Sequence, residues 1–172
     1  KLLRFGAQHF GEAMHKAEED FDPDEETTPL MVPWMVYHFS IEGKPVVDWF
    51  IDHERKRLSD REISWLEAQK AAWLSLWEVI DVVPGETITL KDLLTGEERT
   101  VHEVEGSRNI RPRHVILARI VDYNDISIIG GSYPCVLPPL DAAEVLRRMK
   151  KRLRRKKDVP VALPRWTEVN QL

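Results

Sequence analysis

The chain has 172 residues, with 25 Lys+Arg against 29 Asp+Glu for a formal net charge of −4, 42% hydrophobic residues and one cysteine. That length suits one globular domain or two very small ones, and 31% charged residues beside an ordinary apolar fraction exclude a fully disordered chain. No apolar run approaches the ~20 residues that span a bilayer, which argues against a membrane protein, and the lone Cys135 without a secretory segment points to a reducing, cytoplasmic setting.

The mean charge hides a polarity. Nine of the eleven residues from Arg147 to Lys157 are Lys or Arg, whereas seven of the nine from Glu18 to Glu26 are Asp or Glu. Such runs are ordinarily solvated faces or tails. The chain starts at Lys1 without a Met, which fits an expressed portion or a piece of a longer protein.

Leu3, Ala7, Phe10, Met14, Ala17 and Phe21 alternate spacings of four and three, which predicts a first helix with one apolar stripe. The acidic run with Pro23 ends it, and Thr27-Thr28-Pro29 opens a loop. Leu30 to Ile41 is the most apolar stretch; it reads as a buried segment, extended or shortly helical, and Pro33 argues against a central strand. Gly43 marks a turn, and Pro45 suits the first turn of a helix with Val46, Val47, Phe50, Ile51 and Leu58 on its apolar side. Ser59-Asp60-Arg61-Glu62 is a capping box, and the helix it opens is expected to bury Ile63, Leu66, Trp73, Leu74 and Trp77.

From Glu78 the hydrophobic period changes to two. Strands are predicted over 79–83, 86–90, 98–104, 114–121 and 126–129, with turns at Pro84-Gly85, Thr95-Gly96 and 122–125 and a basic loop over 107–113. Gly130-Gly131-Ser132 is expected to break the last strand before Val136-Leu137. Short strands at this spacing suggest a small antiparallel barrel, since closure removes exposed edges. After Pro138-Pro139, Asp141 is a candidate cap for a last helix with Val145, Leu146, Met149 and Leu153 as a narrow apolar stripe, followed by an extended tail in which Trp166 is a candidate anchor. The fold class is therefore α+β: a helical region over 1–77, a small antiparallel β-barrel-like region over 78–139, and a basic helix with an extended tail over 140–172.

The runs PWMVYHF (33–39), GKPVVDWF (43–50), LWEVIDVVPG (76–85) and TITLKDLLTGEE (87–98), with Ser107-Arg108, resemble a group of uncharacterised bacterial proteins. Some members of that group carry a SecA-type C-terminal (SEC-C) metal-binding motif. The resemblance spans about residues 30–139 and is most specific at the D-L-L-T-G-E region. The zinc motif needs several closely spaced cysteines, and Cys135 stands alone, so the resemblance implies a domain type and no metal.

Constellations that would carry chemistry are sparse. Glu12-x-x-His15 has the spacing of one half of a helical di-metal site, but no second pair matches it. Ser132 and Cys135 lie near a Gly-Gly pair outside any nucleophile motif; Gly130-Gly131 reads as shaping a bulge or turn, and Cys135 as a small buried hydrophobe. Neither phosphate-binding glycine signature occurs. No catalytic residue, metal ligand or cofactor is assigned.

The functional signal is electrostatic. Arg147, Arg148, Lys150, Lys151, Arg152, Arg154, Arg155, Lys156 and Lys157 crowd into roughly three helical turns, with Arg108, Arg111, Arg113 and His114 as an extension on the barrel. The expected function is a non-enzymatic binding module for a polyanion, RNA or DNA or a ribonucleoprotein, using Arg108, Arg111, Arg113, Arg147, Arg148, Lys150, Lys151, Arg154 and Arg155. The alternative is a protein-interaction or scaffold domain whose basic helix meets acidic protein surfaces, and third comes an enzyme whose site is assembled from distant residues.

Overall fold

The change of hydrophobic period divides the molecule into a helical layer and a barrel. The computed structural model describes residues 1–21 and 25–152. The helical layer comprises α1 (Leu2–Phe21), α2 (Thr28–Tyr37), a two-residue hairpin of β1 (Ser40–Ile41) and β2 (Lys44–Pro45), α3 (Val46–Glu54) and α4 (Asp60–Ala71). The barrel comprises β3 (Leu74–Val83), β4 (Thr87–Asp92), β5 (Glu98–His102), the single turn α5 (Gly106–Asn109), β6 (Val115–Tyr123) and β7 (Ile126–Ser132), followed by α6 (Pro139–Arg152). It closes in the order β3-β4-β5-β7-β6, with β6 returning to β3. One seam departs from the expected antiparallel pattern, because β5 and β7 pair in parallel at Val101 and Ser127.

In the first helix the kink at Phe10 (φ −137°, ψ 25°) changes the expected stripe. Phe5, Met14 and Ala17 are buried, whereas Ala7 is exposed and Leu3 is 48% exposed. A stripe of period 3.6 holds only along a continuous helix, and a non-helical residue rotates one half against the other. The stretch 30–41 is helical as far as Tyr37, and Pro33 lies inside that helix. Pro33 cannot donate to the Pro29 carbonyl, and that carbonyl instead lies against β7: a Cβ on Gly131 would stand 2.6 Å from Pro29 O. The Gly130-Gly131 pair does not break its strand. Arg119 faces Gly131 and Ile120 faces Ile129, so Gly130 is the extra residue of a bulge and the strand runs on to Ser132.

The capping box forms. Glu62 N donates to Ser59 Oγ (3.3 Å), and Ser59 N donates to Glu62 Oε2 (2.9 Å). The helix it opens stops at Ala71, short of the expected Trp77, and Ala72 is already extended. Residues 74–78 pair with β6, which takes them out of the helix. Apolar residues at 73, 74, 76, 77 and 79 satisfy either period, so pairing decides. Trp77 is fully buried in the barrel, its indole donating to Ala118 O (3.0 Å). Ile88, Leu90 and Val101 pack in the same cluster, while Leu117 and Ile128, on the same alternating pattern, are only half-buried.

The D-L-L-T-G-E region is organised by a buried carboxylate. Asp92, 1% exposed, accepts from Trp73 Nε1 (3.0 Å), Ser75 Oγ (2.9 Å), Leu94 N (2.7 Å) and Thr95 N (3.0 Å). Gly96 follows at φ 80°, where a side chain would be strained. Four donors converging on one carboxylate satisfy a charge that burial alone would penalise.

Ser59→Ala is expected to destabilise the fold by about 1 kcal/mol, since one early amide of α4 loses its acceptor. Asp92→Asn, which replaces an acceptor oxygen by a donor facing donors, is expected to cost about 2–3 kcal/mol. Denaturant titrations of both variants check the order: an Asp92 variant no weaker than the Ser59 variant would mean the buried network contributes little.

Candidate nucleic-acid interface

The basic side chains fall into two groups. α6 seats Ala142, Val145, Leu146 and Met149 against Leu76 of β3, Val115 and Leu117 of β6, and Leu93 and Leu137 from the connecting segments. The helix begins at Pro139, so Asp141 lies in its first turn and not at the cap. Arg147, Arg148 and Lys151 are exposed and Lys150 is half-buried. Leu153, Arg154, Arg155, Lys156, Lys157 and Trp166 lie outside the described residues. Glu144, on the same helix, accepts from Arg147 Nε and Nη2 (both 2.7 Å) and from Arg148 Nε (2.7 Å). Those two bonded guanidiniums push the Glu144 carboxyl down to about 2.

The second group rides on the loop between β5 and β6. Buried Ser107 holds its first turn, accepting from Gly85 N (2.8 Å) and donating to Val104 O (2.8 Å). Arg108 is thereby laid over the Gly85 turn, with Glu105 3.5 Å from its Nη1. Arg111 N donates to His114 Nδ1 (3.3 Å), and Arg113, at φ 72°, donates its amide to Val79 O (2.8 Å). Arg108, Arg111 and Arg113 are all exposed. The loop enters β6 at Val115, which packs in the same cluster as Ala142 of the basic helix.

Two features were not legible in the sequence. The first is a cleft of about 310 Å³ at the mouth of the barrel, between the arginine loop and residues 132–136. Ile88, Ile110, Ile116 and Ile129 form its apolar part, and Glu103, Asn109 and Ser132 line it with polar groups. Cys135, expected as a buried hydrophobe, is exposed and lines this cleft. β7 ends at Ser132, so the chain passes Cys135 along the mouth and not into the core.

The second is a buried cation at the seam between barrel and helices. Arg119 of β6 is 3% exposed, its Nη1 donating to Gln69 Oε1 (2.8 Å) and its Nη2 to the Gln69 carbonyl. Its guanidinium lies 4.9 Å from the centre of the Tyr37 ring. Burial lowers Arg119 to about 10, which leaves it charged at neutral pH. His38, 8% exposed, sits beside it, and burial lowers its imidazole to about 4; the Arg119 charge adds to that and a hydrogen bond with the Ala72 backbone opposes it. Arg119 Nε and His38 Nε2 find no partner among the described residues. The available signal was one charge in the apolar run Val115-Ile116-Leu117-Ala118-Arg119-Ile120-Val121.

Elsewhere, the His9 and His53 rings are 5.2 Å apart and His15 pairs with Glu19 at 3.5 Å. Among the described residues no group of three or more His, Cys, Asp or Glu is placed to hold a metal ion, and no helix is long and apolar enough to cross a membrane.

Fold and site together define an α+β protein: a closed five-stranded barrel with a helical layer on one side and a basic amphipathic helix on another. The chain belongs to the Family of unknown function (DUF7986), whose model matches residues 10–172. No curated protein and no solved structure matches it.

The seam makes stability depend on pH. His38 titrates near 4 when folded and near 6.5 when unfolded, so between these values the unfolded chain binds more protons. Stability is expected to fall by about 3 kcal/mol as the pH drops through that window. His38→Gln should flatten that part of the profile, as read from denaturation midpoints between pH 7 and pH 4; an unchanged slope would place the titration elsewhere.

Proposed function

We propose that the protein is a non-enzymatic nucleic-acid-binding module whose phosphate contacts come from α6, the basic run that continues it, and Arg108, Arg111 and Arg113. The observation that carries this reading is the seating of α6. Its apolar stripe is used up against the barrel, so Arg147, Arg148 and Lys151 project outward from a rigid platform. A basic helix held in this way opposes a row of phosphates without paying for its own ordering on binding. Lys and Arg contacts to phosphates release counterions, which gives salt-sensitive binding with little sequence preference. The arginine loop adds three cations fixed by Ser107 and by the Val79 carbonyl.

The test is fluorescence anisotropy with RNA and DNA at rising salt, comparing the unmutated chain with Lys150, Lys151, Arg154 and Arg155 all changed to Gln. Gln nearly preserves helix propensity, so folding should survive. Loss of four phosphate contacts should flatten the slope of log affinity against log salt by up to ~3–4 units. Glu144→Gln, which releases Arg147 and Arg148, is expected to strengthen binding at fixed salt. No detectable binding by the unmutated chain at low salt would remove the proposal.

A further inference from the structure

The barrel-mouth cleft is not needed for contacts to phosphates, and its chemistry is different. Its body is apolar, formed by the side chains of Ile88, Ile110, Ile116 and Ile129. One carboxylate, Glu103, lines it, and Glu103 Oε1 is fixed by accepting from Gly106 N (3.0 Å). A carboxylate has about four lone-pair positions, so this bond leaves acceptor capacity. Tyr133 also lines the cleft, and its hydroxyl is tied to the Glu26 carboxylate. The wall that supplies Asn109 and Ile110 is the loop that carries Arg108, Arg111 and Arg113. At about 310 Å³ the cleft lies at the lower end of the ~300–1,000 Å³ range of small-ligand sites.

The occupant must therefore present apolar faces and a donor edge, and must be joined to anionic groups that reach the arginines. A bare hydrocarbon would waste Glu103, and a small neutral molecule would waste the arginines. We infer that the cleft takes one unstacked base of a single nucleic-acid strand, with Glu103 accepting from its hydrogen-bonding edge and the arginine loop holding the adjoining phosphates. Single-stranded recognition commonly splays a base out of the stack and hydrogen-bonds its Watson–Crick edge. Guanine fits Glu103 best, since two adjacent donors on its Watson–Crick edge match one carboxylate, whereas uracil offers a single N–H flanked by carbonyls. This inference rests on the nucleic-acid reading above.

Cys135 supplies the test, because it is the only cysteine of the chain and is exposed in the cleft lining. The full chain is alkylated with a bulky maleimide, with Cys135→Ser treated identically as the control. Binding is measured to a uracil-only single strand, the same strand with one central guanine, and a duplex. The unmodified protein should favour the guanine strand by about tenfold, on the scale of one bidentate base-edge pair. Alkylation and Glu103→Gln should each remove that preference while leaving salt-dependent binding to the duplex. Guanosine monophosphate alone should shift the methyl resonances of Ile88, Ile110 and Ile129. Binding without a guanine preference, unmoved by alkylation and with silent isoleucine methyls, overturns this inference and leaves the phosphate reading standing. Absence of all nucleic-acid binding overturns both.

Discussion

The barrel depends on a charge placed where water does not reach. Asp92 ends β4, yet two of its four donors, Trp73 and Ser75, come from the start of β3 and its approach. The other two are the amides of the turn that follows it. One carboxylate thus fixes where β3 begins, where β4 stops and how the chain turns toward β5. A buried carboxylate lacking these bonds would carry a large desolvation penalty, so competing registers that separate Asp92 from its donors are disfavoured. The chemistry-bearing parts inherit this order. The arginine loop is pinned to the β3–β4 turn and to Val79, and α6 covers Leu76.

Arg119 makes a second constraint of opposite sign. It is a buried cation whose partners are an amide, a backbone carbonyl and an aromatic face, and no carboxylate pairs with it among the described residues. Such an arrangement satisfies part of the guanidinium and leaves Nε unbonded among the described residues. It contributes less to net stability than a hydrophobic replacement of equal volume could. What it provides is direction: Gln69 of α4 and Tyr37 of α2 can both meet Arg119 only when the helical layer sits in one orientation. The glycines opposite reinforce this, since a Cβ on Gly130 would come within 2.9 Å of Arg119 Nη1 and one on Gly131 would strike Pro29 O. Small residues on β7 and a long one on β6 together set how closely helices approach barrel.

Legibility in the sequence followed the range of the interaction. The capping box, the two-residue period and the turn glycines are local, and they stand where the sequence places them. The α4–β3 boundary lies earlier than the sequence indicates because the apolar residues between 73 and 79 fit both periods, and only pairing with β6 selects the strand. The bulge that the Gly130-Gly131 pair reads as shaping stands at Gly130, whereas the kink at Phe10 departs from the expected continuous helix. At the candidate site, the basic cluster is contiguous and was readable as composition. The barrel-mouth cleft was not, because Ile88, Glu103, Ile110, Ile116, Ile129 and Cys135 converge only once five strands close. Cys135 shows the same limit: small and near apolar neighbours, it reads as core, but its placement past the end of β7 exposes it.

On the proposed reading, the carboxylates beside the arginines bear on what kind of binder this surface makes. Arg147 spends Nε and Nη2 on Glu144, Arg148 spends Nε on the same group, and Arg108 faces Glu105. A guanidinium has five N–H donors, so each arginine keeps donors for a phosphate, but the net positive charge per turn is lower than the arginine count suggests. These exposed pairs add little to stability; their effect is to hold long side chains in place and to weaken the local field. On the proposed reading, a phosphate shares these arginines with a resident carboxylate and does not displace a hydration shell from an unpaired cation. Affinity then comes from many weak contacts in series, and discrimination between strands must come from elsewhere on the surface. On the same reading, the apolar mouth of the barrel, and not the basic helix, is the part able to distinguish one nucleic acid from another.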